Sequence, residues 1–367
     1  MEPLRVTYRL EVPRAQAEAR AEAIALEQTV EVPRVVVRDR FIEQEILGRV
    51  ASLDFDAEGA ALATIAYPVA STALDPAQLL NVIFGMTSLQ SDVECVDLEL
   101  PAALLEALHG PRFGIEGLRK LVKVEGRALT CTAVKPLGQS PEALAHLLGT
   151  FARAGIDVVK DDQGLADHTF CPFEARVQAC LRVAAEVADD TGHHALYVPN
   201  LIGTPSKVFE QLRIAEDCGA RAVMVSPWLL GLPTFYELCA ERASLPVLAH
   251  PSFGGARRFA PDVGFGALLR LYGADAVIFV GYAGRFGTPR GVCQSLADRL
   301  RRPWGPLLPS LPVPGGGVQL ENVPELVSFY GRDTMLLVGG SLQIDPDAVL
   351  ERSRAFVESV REASAAG

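Results

Sequence analysis

The sequence predicts an α/β protein in which an N-terminal α+β domain of the ferredoxin-like type precedes a C-terminal (β/α)8 TIM barrel. Length supports two domains, because 367 residues are long for one core and suit a barrel of roughly 250 residues with a smaller companion. Strand-like and helical runs are mixed in the first third of the chain and alternate regularly after it. We therefore expect domains at residues 1–113 and 114–367.

The N-terminal segment contains three runs typical of strands and two typical of helices. Strands are predicted at Arg5–Val12, Ala60–Tyr67 and Glu94–Leu100, on their β-type residue patterns. Apolar residues at helical spacing predict helices at Ala15–Gln28 and Ala77–Phe84. This mixture of elements is typical of an α+β domain.

The C-terminal segment alternates short apolar runs with helical patterns, which is typical of a barrel of parallel strands. Strands are predicted at Ala128–Val134, Asp157–Lys160, Ala195–Val198, Ala222–Val225, Pro246–Ala249, Ala276–Val280, Leu311–Val313 and Thr334–Val338. Helical spacing is clearest at Glu142–Arg153, Glu174–Asp189, Ser206–Cys218 and Pro233–Arg242.

Composition is that of an ordinary globular protein, with 49% apolar and 22% charged residues. The net charge of −11 argues against general binding to nucleic acid, so an anionic ligand needs local positive groups. No run of about 18 apolar residues predicts a membrane span, and the N-terminus lacks the apolar core of a signal peptide. The seven cysteines form no CxxC pair and predict neither zinc nor disulfides, so a cytoplasmic location is expected.

The segment Gly155–Gln163 brings a lysine and two carboxylates to the end of a predicted strand, where barrel enzymes carry their catalytic groups. Lys160 and Asp162 lie two residues apart and share one side of an extended chain, while Asp161 faces the other side. Such an oxygen-rich corner suits a hard cation such as Mg²⁺. A surface ion pair beside an Asp-Asp turn explains the same residues, so the segment alone leaves both interpretations open.

Five motifs in a common order resemble the ribulose-bisphosphate carboxylase (RuBisCO) superfamily, and the resemblance runs nearly end to end. They are HGPRFGI at 109–115, GRALTCTAVKP at 126–136, KDDQ at 160–163, PVPGGG at 312–317 and VGG at 338–340. The resemblance implies that CO₂ carbamylates Lys160 and that this carbamate, Asp162 and Gln163 hold Mg²⁺. The family has glutamate as its third ligand, so Gln163 would coordinate through an uncharged amide oxygen.

Two further residues that follow predicted strands are candidate catalytic groups. Lys135 follows the first barrel strand, and a lysine whose pKa is lowered by burial and nearby cations can shuttle a proton. The resemblance supports this role, because the family places a catalytic lysine in Thr-x-x-Lys-Pro; a structural ion pair is the alternative. His250 follows the fifth strand, and its place among the strand ends favours catalysis over a satisfied strand-end histidine.

Two glycine clusters on adjacent loops predict a phosphate site, since glycine lets backbone N–H groups approach an anion closely. The second phosphate site of the carboxylases has no counterpart, because Pro251 replaces an arginine and the strand at Ala276–Val280 lacks a histidine. We therefore expect a substrate with one phosphate. The predicted phosphate ligands are the backbone groups of Gly315, Gly316, Gly317, Gly339 and Gly340.

The sixth βα loop, at 281–287, has the glycine content of a mobile lid and offers Arg285 as a substrate clamp. A solvated loop arginine is the alternative. The resemblance implies a site built between one barrel and the N-terminal domain of a partner, so we expect a homodimer or a multiple of dimers. Glu27 would then contact Arg285 across the subunit boundary. Met86 stands where carboxylases have an asparagine that contacts substrate and metal.

The departures from the carboxylase pattern predict a RuBisCO-like protein that enolises a phosphorylated ketose without fixing CO₂. Isomerisation of 5-methylthioribulose 1-phosphate in methylthioadenosine salvage is the preferred reaction. Enolisation of 2,3-diketo-5-methylthiopentyl 1-phosphate and decarboxylation of a 3-oxo-sugar-acid phosphate are alternatives. A non-catalytic sugar-phosphate binder is a fourth hypothesis. Retention of Lys135, Lys160, Asp162 and His250 together argues against it, because a binder needs no metal and no proton shuttle.

Overall fold

The computed structural model describes residues 2–256, 258–284 and 287–366. Its N-terminal part is a four-stranded antiparallel sheet in the order β2-β3-β1-β4. The strands are β1 (Leu4–Leu10), β2 (Arg49–Phe55), β3 (Ala61–Tyr67) and β4 (Val93–Glu99). Three of them were predicted. The edge strand β2 was not predicted, although Ala51, Leu53 and Phe55 alternate with polar residues; the strand is mostly exposed.

The C-terminal part is a parallel sheet that closes into a barrel, as predicted. One barrel strand is divided at Pro199, because proline has no N–H for the ladder. Its first half, Leu196–Val198, pairs with the strand Val158–Asp161, and its second half, Asn200–Leu201, pairs with the strand Val223–Val225, so the two halves join the edges of the sheet. The strands are β5 (Leu129–Val134), β6 (Val158–Asp161), β7 (Leu196–Val198), β8 (Asn200–Leu201), β9 (Val223–Val225), β10 (Val247–Ala249), β11 (Ala276–Val280), β12 (Leu311–Gly315) and β13 (Met335–Val338).

Helices cover the sheets, and the predicted helices are found within a few residues of their expected bounds. The predicted helix Pro233–Arg242 differs most, because regular α-helix ends at Glu237 and a wider turn continues to Arg242. α-Helices lie at Ala17–Glu27, Pro76–Phe84, Ala102–Leu108, Gly114–Val122, Pro141–Arg153, Phe173–Thr191, Pro205–Asp217, Pro227–Leu230, Leu232–Glu237, Leu269–Leu271, Arg290–Arg301, Val323–Tyr330 and Val349–Ala366. Among the described residues, none of these is both long and apolar enough to cross a membrane.

The N-terminal sheet is joined to the barrel by backbone hydrogen bonds next to a barrel loop. The amide of Cys95 in β4 donates to the carbonyl oxygen of Arg258, and Ala260 N donates to Cys95 O at 3.0 Å. Arg299 adds a second connection, since its guanidinium donates to Leu98 O at 2.6 Å. The loop that follows β10, which carries His250, is therefore held against the N-terminal sheet.

The barrel interior is filled by apolar side chains that point inward from alternating strands. The helix Gly114–Val122 packs against these side chains. Asp275 holds the start of this helix, because its carboxylate accepts hydrogen bonds from the amides of Phe113 and Gly114 at 2.7 Å, and it also accepts one from Val247 N at 3.0 Å. The interior residues include Leu129, Cys131, Val158, Leu196, Val198, Met224, Leu248, Ile278, Leu311, Val313, Met335 and Leu337.

Candidate active site at the barrel mouth

The predicted catalytic residues converge on the carboxyl-terminal ends of the barrel strands. Lys135 directly follows β5, Lys160 is the last residue but one of β6, and His250 directly follows β10. Asp162 and Gln163 continue the chain beyond β6. In a parallel barrel these ends share one face, which is the face where barrel enzymes carry their chemistry.

Lys135 and Asp162 are in direct contact. Lys135 Nζ lies 2.5 Å from Asp162 Oδ1, and the side chains are 35% and 13% exposed. Strand pairing places them together, because Val134 of β5 lies opposite Asp161 of β6. The structural ion pair considered for Lys135 is therefore present, and it is made with a proposed metal ligand.

Lys160 is buried, with 2% of its surface exposed. Burial lowers the pKa of Lys160, and the charge of Lys135 acts in the same direction, while Cys131 and Asp162 oppose the shift. Lys160 Nζ donates a hydrogen bond to the carbonyl oxygen of Asp161 at 3.0 Å. A lowered pKa increases the neutral fraction of the amine, which is the form that reacts with CO₂.

Asp161 faces away from the mouth, as the strand alternation predicted, and is fully buried. Its carboxylate accepts hydrogen bonds from Arg176 Nε at 3.0 Å, Tyr197 Oη at 2.8 Å and Asn200 N at 3.1 Å. These bonds fix the end of β6, and so hold Lys160 and Asp162 on the inner side. This support was not predicted, although an arginine among the inward-facing residues of a predicted helix, as at Arg176, indicates a buried charge that needs a partner.

His250 is uncharged in this environment. Burial lowers the pKa of His250 to about 3, and the charges of Lys160 and Lys135 contribute to the same shift. Its Nδ1 lies 2.9 Å from Ser252 Oγ and accepts a hydrogen bond from Ser252 N at 3.3 Å. Because Nδ1 is an acceptor, the neutral ring carries its proton on Nε2.

The side chains at the end of β6 provide enough oxygen ligands for a hard cation only if Lys160 carries a carbamate. No group of three or more His, Cys, Asp or Glu side chains within the described ranges is arranged to hold a metal ion. Asp162 supplies a carboxylate and the half-buried Gln163 an amide oxygen, but Mg²⁺ binds amines such as Lys160 poorly. A carbamate on Lys160 would supply the missing oxygen ligand. The Lys135 ammonium on Asp162 shows that this carboxylate already takes a cationic partner.

The glycines after β12 form a tight turn that contacts two neighbouring loops. Gly316 and Gly317 have φ angles of +75° and +131°, which residues other than glycine rarely adopt. Asn322 Nδ2 donates to Gly317 O at 2.9 Å. Ser341 Oγ donates to Val318 O at 3.2 Å and links this turn to the loop after β13.

The glycines after β13 border open space. A Cβ atom added to Gly339 or Gly340 would meet no atom of the described residues within 4 Å. In the part of the chain that the structure describes, the amides of Gly316, Gly317, Gly339 and Gly340 donate none of the backbone hydrogen bonds that lie outside helices and strands. Glycine amides on two adjacent loops are suited to an anion such as phosphate.

The sixth βα loop lies over the glycine turn. Gly281 N donates to Gly315 O at 2.9 Å, and a Cβ atom on Gly284 would lie 1.4 Å from Gly316 O. Tyr282 anchors the start of this loop, because its hydroxyl donates to Glu325 Oε1 at 2.6 Å. The predicted clamp Arg285 lies outside the described residues.

Glu27 is placed in the N-terminal domain, away from the other predicted site residues. It is the last residue of the helix Ala17–Glu27 and is half-buried. The neighbouring Gln28, which the sequence analysis did not single out, is buried and orders the chain near Met86. Its amide nitrogen donates to Val82 O, and its oxygen accepts from Thr87 N at 3.0 Å.

Sequence and structure comparisons agree on the family. Residues 114–364 match the family described as ribulose bisphosphate carboxylase large chain, catalytic domain. Ribulose bisphosphate carboxylase-like protein 1 of Rhodopseudomonas palustris is 43% identical over 97% of this chain and 96% of its own length. A crystal structure of a Rubisco-like protein from Rhodopseudomonas palustris superposes with a TM-score of 0.90 at 38% identity, covering 99% of this chain and 98% of the other.

Two relatives carry names of specific reactions. A 5-methylthioribulose-1-phosphate isomerase of Rhodospirillum rubrum is 41% identical over 99% of this chain and 98% of its own length. A 2,3-diketo-5-methylthiopentyl-1-phosphate enolase of Geobacillus kaustophilus is 34% identical over 81% of this chain and 74% of its own length. This chain therefore belongs to the ribulose bisphosphate carboxylase large-chain family, among its RuBisCO-like proteins.

Proposed function

We propose that this protein is an enzyme that enolises a phosphorylated ketose without fixing CO₂, and that it acts as a 5-methylthioribulose-1-phosphate isomerase of methionine salvage. The observation that carries the proposal is the meeting of Lys135, Lys160, Asp162 and His250 at one barrel mouth. The higher identity to the isomerase, 41% against 34% for the enolase over a smaller share of the chain, supports the choice between these reactions.

The metal is proposed on the chemistry of the donors. Carbamylated Lys160, Asp162 and Gln163 would hold Mg²⁺. The bound ion would act as a Lewis acid on the substrate carbonyl. Burial of Lys160 supports carbamylation, because it favours the neutral amine.

Lys135 is the proposed proton carrier. Its Nζ lies at the mouth beside Asp162, whereas the low pKa of His250 makes an imidazolium scarce near neutral pH. We assign His250 a different task, in which Nε2–H donates a hydrogen bond to a substrate oxygen. Isomerisation moves one carbon-bound proton to the neighbouring carbonyl carbon and one hydroxyl proton to the former carbonyl oxygen, which shifts the carbonyl along the sugar. Lys135, as the neutral amine, would carry the carbon-bound proton, and the oxygen-bound proton would exchange through water.

The substrate is proposed to carry one phosphate, held by the amides of the two glycine loops. Among the described residues, these amides donate no turn or loop hydrogen bond, and open space borders Gly339 and Gly340; both observations support this placement. Arg285 would close on the same ligand from the sixth loop. At the opposite side of the mouth, Pro251 offers neither a charge nor an N–H.

A homodimer is proposed as the minimum assembly, with a cytoplasmic location and domains at residues 1–113 and 114–367. Large apolar side chains of the N-terminal domain are unusually exposed, including Val35 at 80%, Phe41 at 62% and Leu89 at 77%. Large apolar side chains are often exposed in this way where a protein contacts a partner. A partner barrel would cover them, and Glu27 would then face the partner's Arg285.

The proposed function is tested by incubating the enzyme with a panel of sugar monophosphates in deuterated buffer with Mg²⁺ and bicarbonate, followed by NMR. Deuterium uptake with conversion of 5-methylthioribulose 1-phosphate is the expected result. Conversion of the diketo compound instead would identify an enolase, and loss of CO₂ would identify a decarboxylase. Binding without exchange would show a sugar-phosphate binder and reject the enzymatic proposal.

A further inference from the structure

The ion pair between Lys135 and Asp162 joins two groups to which different tasks are assigned. Lys135 is the proposed proton carrier, and Asp162 is a proposed ligand of the metal. The pair is close, with 2.5 Å between Lys135 Nζ and Asp162 Oδ1. A divalent cation on the Asp162 carboxylate would therefore lie close to the oxygen, Oδ1, that Lys135 now contacts.

The surrounding contacts make Lys135 the positive charge that compensates Asp162. Lys160 forms no direct ion pair with Asp162, because its Nζ donates to the backbone oxygen of Asp161, and its charge acts on Asp162 only at longer range. Within the described residues, Asp162 forms no second ion pair. The pair is also partly shielded from solvent, so two cations a few ångströms apart would repel more strongly than in bulk water.

We propose that the Lys135 ammonium is an internal competitor of the metal, and that Lys135 leaves Asp162 when a divalent cation binds. Its Nζ then becomes available to the substrate only after the site is loaded. The inference rests on the proposed function, since it takes Asp162 as a metal ligand. It assigns Lys135 a second role, in which it sets the order of metal binding and proton transfer.

The test measures metal binding and not turnover. Mn²⁺ is titrated into the full-length protein with bicarbonate and without substrate, and free Mn²⁺ is counted by electron paramagnetic resonance. Lys135→Met should bind Mn²⁺ about tenfold more tightly than the wild type, because the competing cation is gone. Lys135→Arg keeps the positive charge and should gain no affinity.

A matched control is available in the same part of the chain. Lys207 Nζ lies 3.0 Å from Asp167 Oδ2 in an exposed ion pair that includes no proposed ligand. Lys207→Met should leave Mn²⁺ affinity unchanged. Lys135→Gln provides a second neutral variant, and thermal unfolding confirms which variants are folded.

The outcomes separate this inference from the proposed metal site. Equal or weaker Mn²⁺ binding by the folded neutral variants, with binding lost in Asp162→Asn, would overturn the competition and leave the metal site standing. Unchanged Mn²⁺ binding in Asp162→Asn would overturn both. A crystal structure with bound Mn²⁺ gives an independent check, because a Lys135 that still contacts Asp162 would contradict the exchange.

Discussion

Gly284 of the sixth loop packs backbone against backbone on Gly316 of the glycine turn. A Cβ atom at Gly284 would lie 1.4 Å from Gly316 O, and one at Gly317 would lie 2.3 Å from Gly284 Cα. Contacts this short leave room for hydrogen only. The loop that carries Arg285 is therefore fitted directly onto the proposed phosphate site.

Gly284→Ala should push the two loops apart and weaken substrate binding. We expect kcat/KM to fall at least about tenfold, mainly through KM, because the phosphate amides lose their alignment. Steady-state kinetics on the ketose phosphate provide the measurement. Gly291→Ala is the control, since a Cβ there meets nothing within 4 Å, and an equal loss in both variants would contradict the proposed coupling.

Gly340→Ala tests the proposed phosphate site without straining the backbone. A Cβ at Gly340 meets no atom within 4 Å in the described ranges of the chain, so the fold should be unaffected, but the methyl group would intrude on the space proposed for the phosphate. Loss of one charge-assisted hydrogen bond costs on the order of 1.5–3 kcal/mol, or about ten- to a hundredfold in kcat/KM. Gly255→Ala, which also points into open space near Pro251, should change kcat/KM far less. Gly316→Ala adds backbone strain, because φ at Gly316 is +75°.

Lys160→Ala should abolish turnover while the protein remains folded. The proposed metal site loses its carbamate, so we expect kcat to fall by at least about a thousandfold, and chelation of Mg²⁺ should have the same effect on the wild type. Circular dichroism checks the fold. Full turnover in either experiment would reject the metal-dependent mechanism.

His250 should make the folded state sensitive to acid. The folded pKa is about 3 and the ordinary value is 6.5, so the unfolded chain binds more protons between these pH values. Stability gained from the neutral histidine is complete above pH 6.5 and declines as the pH falls toward 3. Between pH 7 and 4.5 the wild type should lose roughly 2–3 kcal/mol more than His250→Asn in urea unfolding. If the stability of both proteins falls equally with pH, His250 is not the cause of the acid sensitivity.

Arg176→Met should destabilise the protein by about 3–5 kcal/mol, because it leaves the buried Asp161 carboxylate without its charge partner. Arg182→Met on the same helix is the control. Its ion pair with Glu186 is exposed at 3.8 Å and should contribute under about 1 kcal/mol. Urea unfolding measures both changes. Asp161→Asn combined with Arg176→Met should recover part of the loss, and failure to do so would assign the effect to packing.

The barrel could be predicted from the sequence alone, because each strand is a short apolar run that can be recognised from neighbouring residues. Apolar runs with flanking polar residues identified β5, β6 and β10, and the parallel topology then required Lys135, Lys160 and His250 to share one face. Strand alternation also predicted that Asp161 would face away from Asp162. These inferences needed only spacing within a few residues.

Tertiary structure decided which of these groups are in contact and which protonation states they take. The contact of Lys135 with Asp162 joins two strands, the support of Asp161 comes from Arg176 on a helix, and Gly284 meets Gly316 from a separate loop. Burial, which shifts a pKa by desolvation, depends on every element packed around a side chain. The local sequence pattern therefore indicated where the candidate catalytic residues lie. Their distances and protonation states depend on packing between residues far apart in the chain.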